Sequence, residues 1–400
     1  MSTIFNPNDF PGSDIERIDA AIQAAAAVHG TARITAREND DEPNRRHWLI
    51  DSAILLPSGA NVIVDNCKIK LSDRCRDNFF RSANCGMDRT EPQELHSIHL
   101  HGEGEAILEG ADHPRATGDS AKTIGVHTYG TDAGVEGECQ QGDWRNIGIL
   151  LVYVHDFSIT GLTLVNSHCW AISLEYCEHG LLRDLTFHSH GVMTIDGREE
   201  RTRNQDGIDL RAGCHDIIID TIRGETGDDL VALTALKGKK PHAPGAPGYT
   251  CITTAIGNPR DSDIHSVLIR NVMGYCSMDG QIVRFLNTSG IRLYNVTLDN
   301  LIDTSTDFHC YAAVRIGDDN PAWGGVTPLG DTYGIIIRSV HSNAKQGVLI
   351  VGSLADSIIT DVVSHNPDAS PVTCCSGPEY IRNVTTSNLL TLPRCYSSGS

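Results

Sequence analysis

Residues 204–233 read NQDGIDLRAGCHDIIIDTIRGETGDDLVAL. Asn204-Gln205-Asp206 and Gly227-Asp228-Asp229 each stand just before a short alternating apolar segment, Ile208/Leu210 and Val231/Leu233 respectively. A third alternating segment, His215 to Ile222, lies between them. Alternation at period two marks a strand with one buried face. If the three segments are strands of one superhelical coil, the chain leaves Asp206 and returns one layer higher at Asp228 and Asp229. Layers about 4.8 Å apart then bring three carboxyl groups to one patch of surface.

The same phrasing recurs outward from this stretch. A small or polar residue, two or three alternating aliphatics, a turn residue and another aliphatic read FSITGLTL at 157, GLLRDLTF at 180, DIIIDTIR at 216 and SVLIRNVM at 266. The phrase returns as GIRLYNVT at 290, GIIIRSVH at 334, DSIITDVV at 356 and EYIRNVTT at 379. Taking the aliphatic after the turn residue as marker gives Leu162, Leu185, Ile222, Val272, Val296, Val340, Val363 and Val384. Their spacing clusters at about 22 residues, with doubled steps and one insertion, which is a solenoid period. The leucine-rich-repeat consensus is absent. The fold expected is all-β: a right-handed, single-stranded parallel β-helix whose inward aliphatics stack into one core.

A second strand family follows the first: WAISLE at 170, DGIDLR at 206, DLVALT at 229, IVRFLN at 282 and AAVRIG at 312. Alternation points Ile172/Leu174, Ile208/Leu210, Val231/Leu233, Val283/Phe285 and Val314/Ile316 inward. Ser173/Glu175, Asp209/Arg211, Ala232/Thr234, Arg284/Leu286 and Arg315 then face out from a sheet expected to floor a cleft. Long excursions at 110–143, 188–204 and 236–264 are candidate walls. At the N-terminus Ser13-Asp14-Ile15-Glu16 has the form of a capping box. Ile15, Ile18, Ala21, Ile22 and Ala25 recur at helical spacing, so residues 13–28 form a helix that lids the first coil. Coils then run over about 48–390, in one domain spanning 1–400.

The net charge is −19. No basic stripe is available for a nucleic acid or an anionic membrane, and no apolar run reaches the length of a membrane span. MSTIFNPNDF carries no basic and apolar leader pattern. Thirteen cysteines are scattered without zinc-ligand spacing, which reads as reduced thiols in a cytoplasmic protein, the alternative being a secreted protein whose leader was removed. No cofactor is required by any motif.

Asn166-Ser167-His168-Cys169-Trp170, Asn204-Gln205-Asp206-Gly207, Gly227-Asp228-Asp229 and Val283-Arg284-Phe285-Leu286 follow one another in an order that resembles the polygalacturonase-like glycoside hydrolases of family 28. The resemblance covers about residues 145–300, and the NxDG…GDD pair is its specific part. It implies inverting hydrolysis of a pectin-type glycosidic bond, with Asp228 as general acid and Asp206 and Asp229 activating water. Inversion needs one protonated and one ionised carboxyl about 6.5–9.5 Å apart, and clustered carboxylates raise one another's apparent pKa. The sequence departs from the family at two places. The G-H-G histidine has no match, Gly248-Tyr249-Thr250 being nearest, and Leu286 stands where the family has lysine. A rhamnogalacturonan-type or neutral sugar at the cleavage site therefore fits these residues as well as galacturonate.

Residues expected to touch an oligosaccharide or polysaccharide substrate are Asn204, Arg284, Arg211, Glu175, Tyr249 and Lys237. Arg315 with Asp318-Asp319 echoes the pattern one coil later and reads as turn chemistry. Trp144, Trp170, Trp323 and Tyr249 are candidates for stacking on sugar rings, with Trp323 the better platform and Trp170 reading as packing. His96, His99 and His101 alternate on one strand and, lacking further ligands at suitable spacing, read as a solvated face. Two other classes stay open. One is a lyase or epimerase that uses the aspartates to hold calcium, and the other is a non-catalytic glycan-binding β-helix.

Overall fold

The structure, a computed structural model, describes all residues except 1–2, 39–41, 43, 76, 88, 90–91, 115–120, 124–138, 142, 237–250, 253–258, 307–309 and 393–400. Its elements are strands with one α-helix and a few 3-10 turns. The chain divides into two compact units, Met1–Gln205 with Lys240–Thr254 and Asp206–Lys239 with Ala255–Ser400. Both are built on the parallel β-helix plan that the repeat period predicts.

In the first unit, Asn61–Asp65, Leu95–Glu103, Val154–Thr160 and Glu178–His188 pair in parallel, each with the corresponding strand of the next coil. Ile54–Leu56, Phe80–Ser82, Ile149–Val152 and Ile172–Glu175 form the second parallel sheet. The helix Asp14–Ala27 lies on the strands Thr31–Ile34, Trp48–Ile50 and Ile54–Leu56. Ile18, Ala21, Ile22 and Ala25 are buried, as the spacing predicts. Glu16 accepts from both the Ser13 amide (2.8 Å) and the Ser13 hydroxyl (2.7 Å), closing the expected capping box. Asp14, buried in the first turn, takes Arg37 at 2.7 Å, Arg45 at 2.6 Å and the Leu49 amide at 2.8 Å, which ties the lid to the first coil.

In the second unit, His215–Thr226, Ile264–Cys276, Leu293–Asp303, Thr332–Ser342, Leu354–Ser364 and Ile381–Thr391 stack in parallel. Their inward positions make aliphatic columns. Ile219, Ile269, Leu298, Ile337 and Ile359 stand in register and are all fully buried. Ile208–Arg211, Val231–Ala235, Gln281–Asn287, Ala312–Ile316, Gln346–Ile350 and Val372–Cys374 form the opposing sheet.

Each long strand turns a corner at a residue with positive φ just before a core aliphatic. Thr221, Asn271, Asn300, Ser339 and Asp361 occupy this place, with φ from 56° to 64°, and Asn388 (φ 52°) takes the same conformation before Leu389, which is exposed. Asn and Asp reach that region because their short polar side chains bond locally. Here Asn271 donates to Asp220 (2.8 Å) and Asn300 to Asn271 (2.9 Å). Three sequence markers need correction: Val296, Val363 and Val384, the last of which follows the earlier corner at Asn383 and aligns with Ser357. Val296 follows an earlier corner at Asn295 and aligns with Val267, so Leu301 is the partner of Val272. Val363 pairs with outward His341, and Val362 is the core residue. Both corners of a strand carry a turn residue followed by an aliphatic, so spacing alone does not separate them.

Candidate active site

The strands Ile208–Arg211 and Val231–Ala235 pair with Ile208 opposite Val231. The pairing continues back to the turns, where the Gly207 amide donates to the Asp229 carbonyl at 3.0 Å. The two acidic turns are therefore adjacent layers of one sheet edge. Asp206, Asp228 and Asp229 each direct a carboxylate oxygen to one point, the three atoms lying within 4.8 Å of one another. These oxygens approach more closely than the 6.5–9.5 Å spacing expected for two carboxyls flanking a bond. Asp206 and Asp229 are buried at 6% and 3% exposure, and Asp228 is the member that reaches solvent.

Asp228 is fixed from beneath. The Thr226 hydroxyl donates to its carbonyl at 2.7 Å. A Cβ at Gly280 would stand 2.7 Å from Asp228 Oδ1 and 2.9 Å from its carbonyl carbon, so glycine is required there. Asp229 accepts the Gln281 amide at 2.7 Å, and its other oxygen is 3.7 Å from Arg284 Nη1. Burial pushes the Asp229 carboxyl above its ordinary range, and Arg284, the Gln281 amide and Arg315 only partly oppose that push.

The second layer is made of arginines held by one acid. Arg284 and Arg315 stand in register on adjacent strands. Asp318 accepts from Arg284 at 2.5 Å and lies 3.1 Å from Arg315. Arg284 therefore leans on Asp318 rather than on Asp229. Arg315 also lies over the Tyr311 ring, 5.7 Å from its centroid. The sequence places Arg315 and Asp318 in turn chemistry. The structure puts Arg315 in the strand Ala312–Ile316 and makes Asp318 the hub of the layer. The echo VRIGDD one coil after VRFLN signals both residues, whereas Gly280 has no sequence signal.

The remaining expected residues fall elsewhere. Arg211 and Asp209 share the Thr234 hydroxyl, which takes the Arg211 proton at 3.2 Å and donates to Asp209 at 3.4 Å. The outward faces of these strands, Asp209, Ala232, Thr234 and Leu286 among them, are themselves buried, so they do not form the open floor that alternation predicts. Leu286, where the related pattern has lysine, is 2% exposed. In the first unit, Glu175 is 1% exposed and accepts the Ile252 amide at 2.9 Å. Asn204 is half-buried in the left-handed region at φ 54°. Beside it Gln205 donates to the Ser167 carbonyl (2.6 Å) and accepts the Gly191 amide (2.7 Å). Tyr249 and Lys237 lie outside the described residues. Trp170 is core, as expected; Trp144, a stacking candidate in the sequence, is fully buried in the same cluster and offers no ring to a sugar, and Trp323 is 40% exposed.

No protein-family model and no curated protein sequence matches the chain. Solved structures do. A polygalacturonase from Erwinia carotovora ssp. carotovora aligns at TM-score 0.55 and 15% identity, over 98% of this chain and 94% of that one. A hyperthermoactive exopolygalacturonase from Thermotoga maritima aligns at 0.53 and 13%, over 97% and 92%. The tailspike of E. coli bacteriophage HK620, in complex with a pentasaccharide, aligns at 0.51 and 14%, over 97% of this chain and 64% of that one. At such identities the likeness is one of fold: the chain is a parallel β-helix of the kind these glycan-acting proteins share.

Proposed function

We propose that the protein is a glycoside hydrolase that cleaves a pectin-type or related oligosaccharide with inversion, using Asp206, Asp228 and Asp229. The observation that carries this reading is the convergence of three carboxylate oxygens within 4.8 Å. A water bonded to two oxygens at about 2.8 Å with a tetrahedral angle holds them about 4.6 Å apart. That separation falls inside the 4.8 Å limit of the cluster, so one water can be shared between Asp206 and Asp229. Asp228, the exposed member, is placed to meet a glycosidic oxygen arriving from solvent.

In the reaction the water oxygen attacks the anomeric carbon from one face while the C–O bond on the other face breaks. The leaving oxygen takes the Asp228 proton, and the water gives its proton to the Asp206/Asp229 pair. Three acids this close titrate as one coupled set. The trio thus keeps a proton where a lone aspartate would have lost it. Arg284 and Arg315 balance the remaining negative charge. The likeness of fold to polygalacturonases and to a pentasaccharide-bound tailspike supports a glycan substrate.

The same cluster also has the oxygen chemistry of a calcium site, whose ligands stand at about 2.3–2.6 Å, and a calcium-assisted lyase would use it so. The Arg284 guanidinium, 3.7 Å from Asp229, already occupies the neighbourhood such an ion would fill, which favours hydrolysis. The test is Asp228→Asn assayed against pectic and neutral oligosaccharides. Turnover should fall at least about 100-fold, the lower end of the range for removing one acid, with the circular dichroism unchanged. A variant retaining more than a few per cent of activity rules out the acid assignment.

A further inference from the structure

A second cluster of titratable groups lies in the first unit, on the outer face of its long sheet and apart from the aspartates. His155 stands in register with His96 on one neighbouring strand and with Glu178 on the other. Three coils thus contribute one column. His155 Nδ1 is in direct contact with Glu178 Oε1, and the same oxygen is 3.9 Å from His179 Nδ1. One donor atom from each of His155, Glu178 and His179 falls within 4.8 Å of the other two. The far nitrogen of the His155 ring, Nε2, lies 3.4 Å from Glu94 Oε1. The His96 ring packs against His155 with centroids 5.2 Å apart.

We propose that His155, Glu178 and His179 bind a divalent first-row metal ion of the zinc type. Two imidazoles and one carboxylate are the donor set such ions prefer, and three protein ligands leave a further position for water or another group. Ligands at about 2.0–2.2 Å from a tetrahedral zinc ion stand about 3.3–3.6 Å apart, so the His179–Glu178 contact at 3.9 Å closes by less than 1 Å while His155 and Glu178, now in direct contact, part to admit the ion. His179 can supply that movement, since its side chain is 64% exposed. Glu94 completes the arrangement. At 3.4 Å from His155 Nε2 it stands where it can orient the ring and leave Nδ1 for the metal, the part a carboxylate plays behind a metal-bound histidine. Glu178 is only 19% exposed and His155 29%, so two of the three ligands are held rather than swinging in solvent. The ion would clip the coil of Val154–Thr160 to that of Glu178–His188.

The sequence reading of His96, His99 and His101 missed this cluster because its ligands lie on different coils. His99 and His101 take other partners, bonding Ser158 at 2.9 Å and Thr160 at 2.7 Å. The competing account is an ion pair: a charged His155 bridging Glu94 and Glu178, with no metal.

The two accounts separate by calorimetric titration of the full chain with zinc chloride, in a Cys374→Ser/Cys375→Ser background that removes the exposed thiols. Asp228→Asn serves as the control for the acidic trio. One equivalent should bind to the background protein and to Asp228→Asn. Affinity should fall at least tenfold in His155→Ala and in His179→Ala, and about 10–100-fold in Glu94→Gln. His179 is exposed, so its variant reports ligation without a folding defect. Cobalt(II) should give a visible ligand-field band that disappears in His179→Ala. Absence of stoichiometric zinc binding, or affinity unchanged in His179→Ala, overturns the site.

Discussion

At Asp229 burial and charge pull in opposite directions, and burial is the larger. The sign for stability follows from linkage. A carboxyl whose folded pKa lies above its unfolded value makes the folded state bind more protons, so stability declines as pH rises through the folded value. Asp229→Asn keeps an acceptor for the Gln281 amide and removes the buried charge. Its melting temperature should exceed wild type at neutral pH, converge on it in acid, and coincide with loss of turnover. A variant less stable than wild type at every pH would contradict this reading.

Asp318 tests the same electrostatics from outside the trio. It holds Arg284 at 2.5 Å, while Asp229 lies 3.7 Å from that guanidinium. Asp318→Asn loosens that hold, turns Arg284 toward Asp229 and favours its ionised form. The acid limb of the rate profile, where the base pair must be ionised, should move to lower pH, and an unmoved limb would show that Asp318 only packs. Gly280→Ala should displace Asp228, because the new Cβ meets a backbone carbon as well as a carboxylate. A misplacement near 1 Å costs about 100-fold in rate, and near wild-type kinetics would contradict the placement of Asp228.

At the scale of elements, the columns of aliphatics carry the fold and the paired turns carry the site. Leu298 is fully buried between Ile269 and Ile337. Leu298→Ala should cost about 2–5 kcal/mol, read by denaturant titration. The strand alternation was legible because side chains facing a stacked core must be apolar at every second position. The convergence of Asp206 on Asp228 and Asp229 was legible for the same reason, since a one-coil separation places consecutive turns on one edge. Coil register was less so: Val296, Val363 and Val384 fit the phrase, yet none occupies the second-corner core column. Long-range polar partners such as Asp14 with Arg37 and Arg45, or Glu175 with the Ile252 amide, have no local signature at all.

For the molecule as a whole, a cap helix, two parallel β-helical units and a carboxylate trio at one sheet edge account for what the repeat and its acidic turns require. Among the described residues no helix is long and apolar enough to cross a membrane. The likeness to solved structures is a likeness of backbone, and the chemistry rests on this chain's own aspartates. Leu286 stands where the related pattern has a basic residue, and the outer faces beside it are buried. The most direct measurement is therefore product analysis over a panel of pectic and neutral oligosaccharides, with and without a chelator. The account predicts new reducing ends of inverted anomeric configuration, no unsaturated uronide absorbance, full activity in the chelator, and none in Asp228→Asn. An unsaturated product that the chelator abolishes would contradict it.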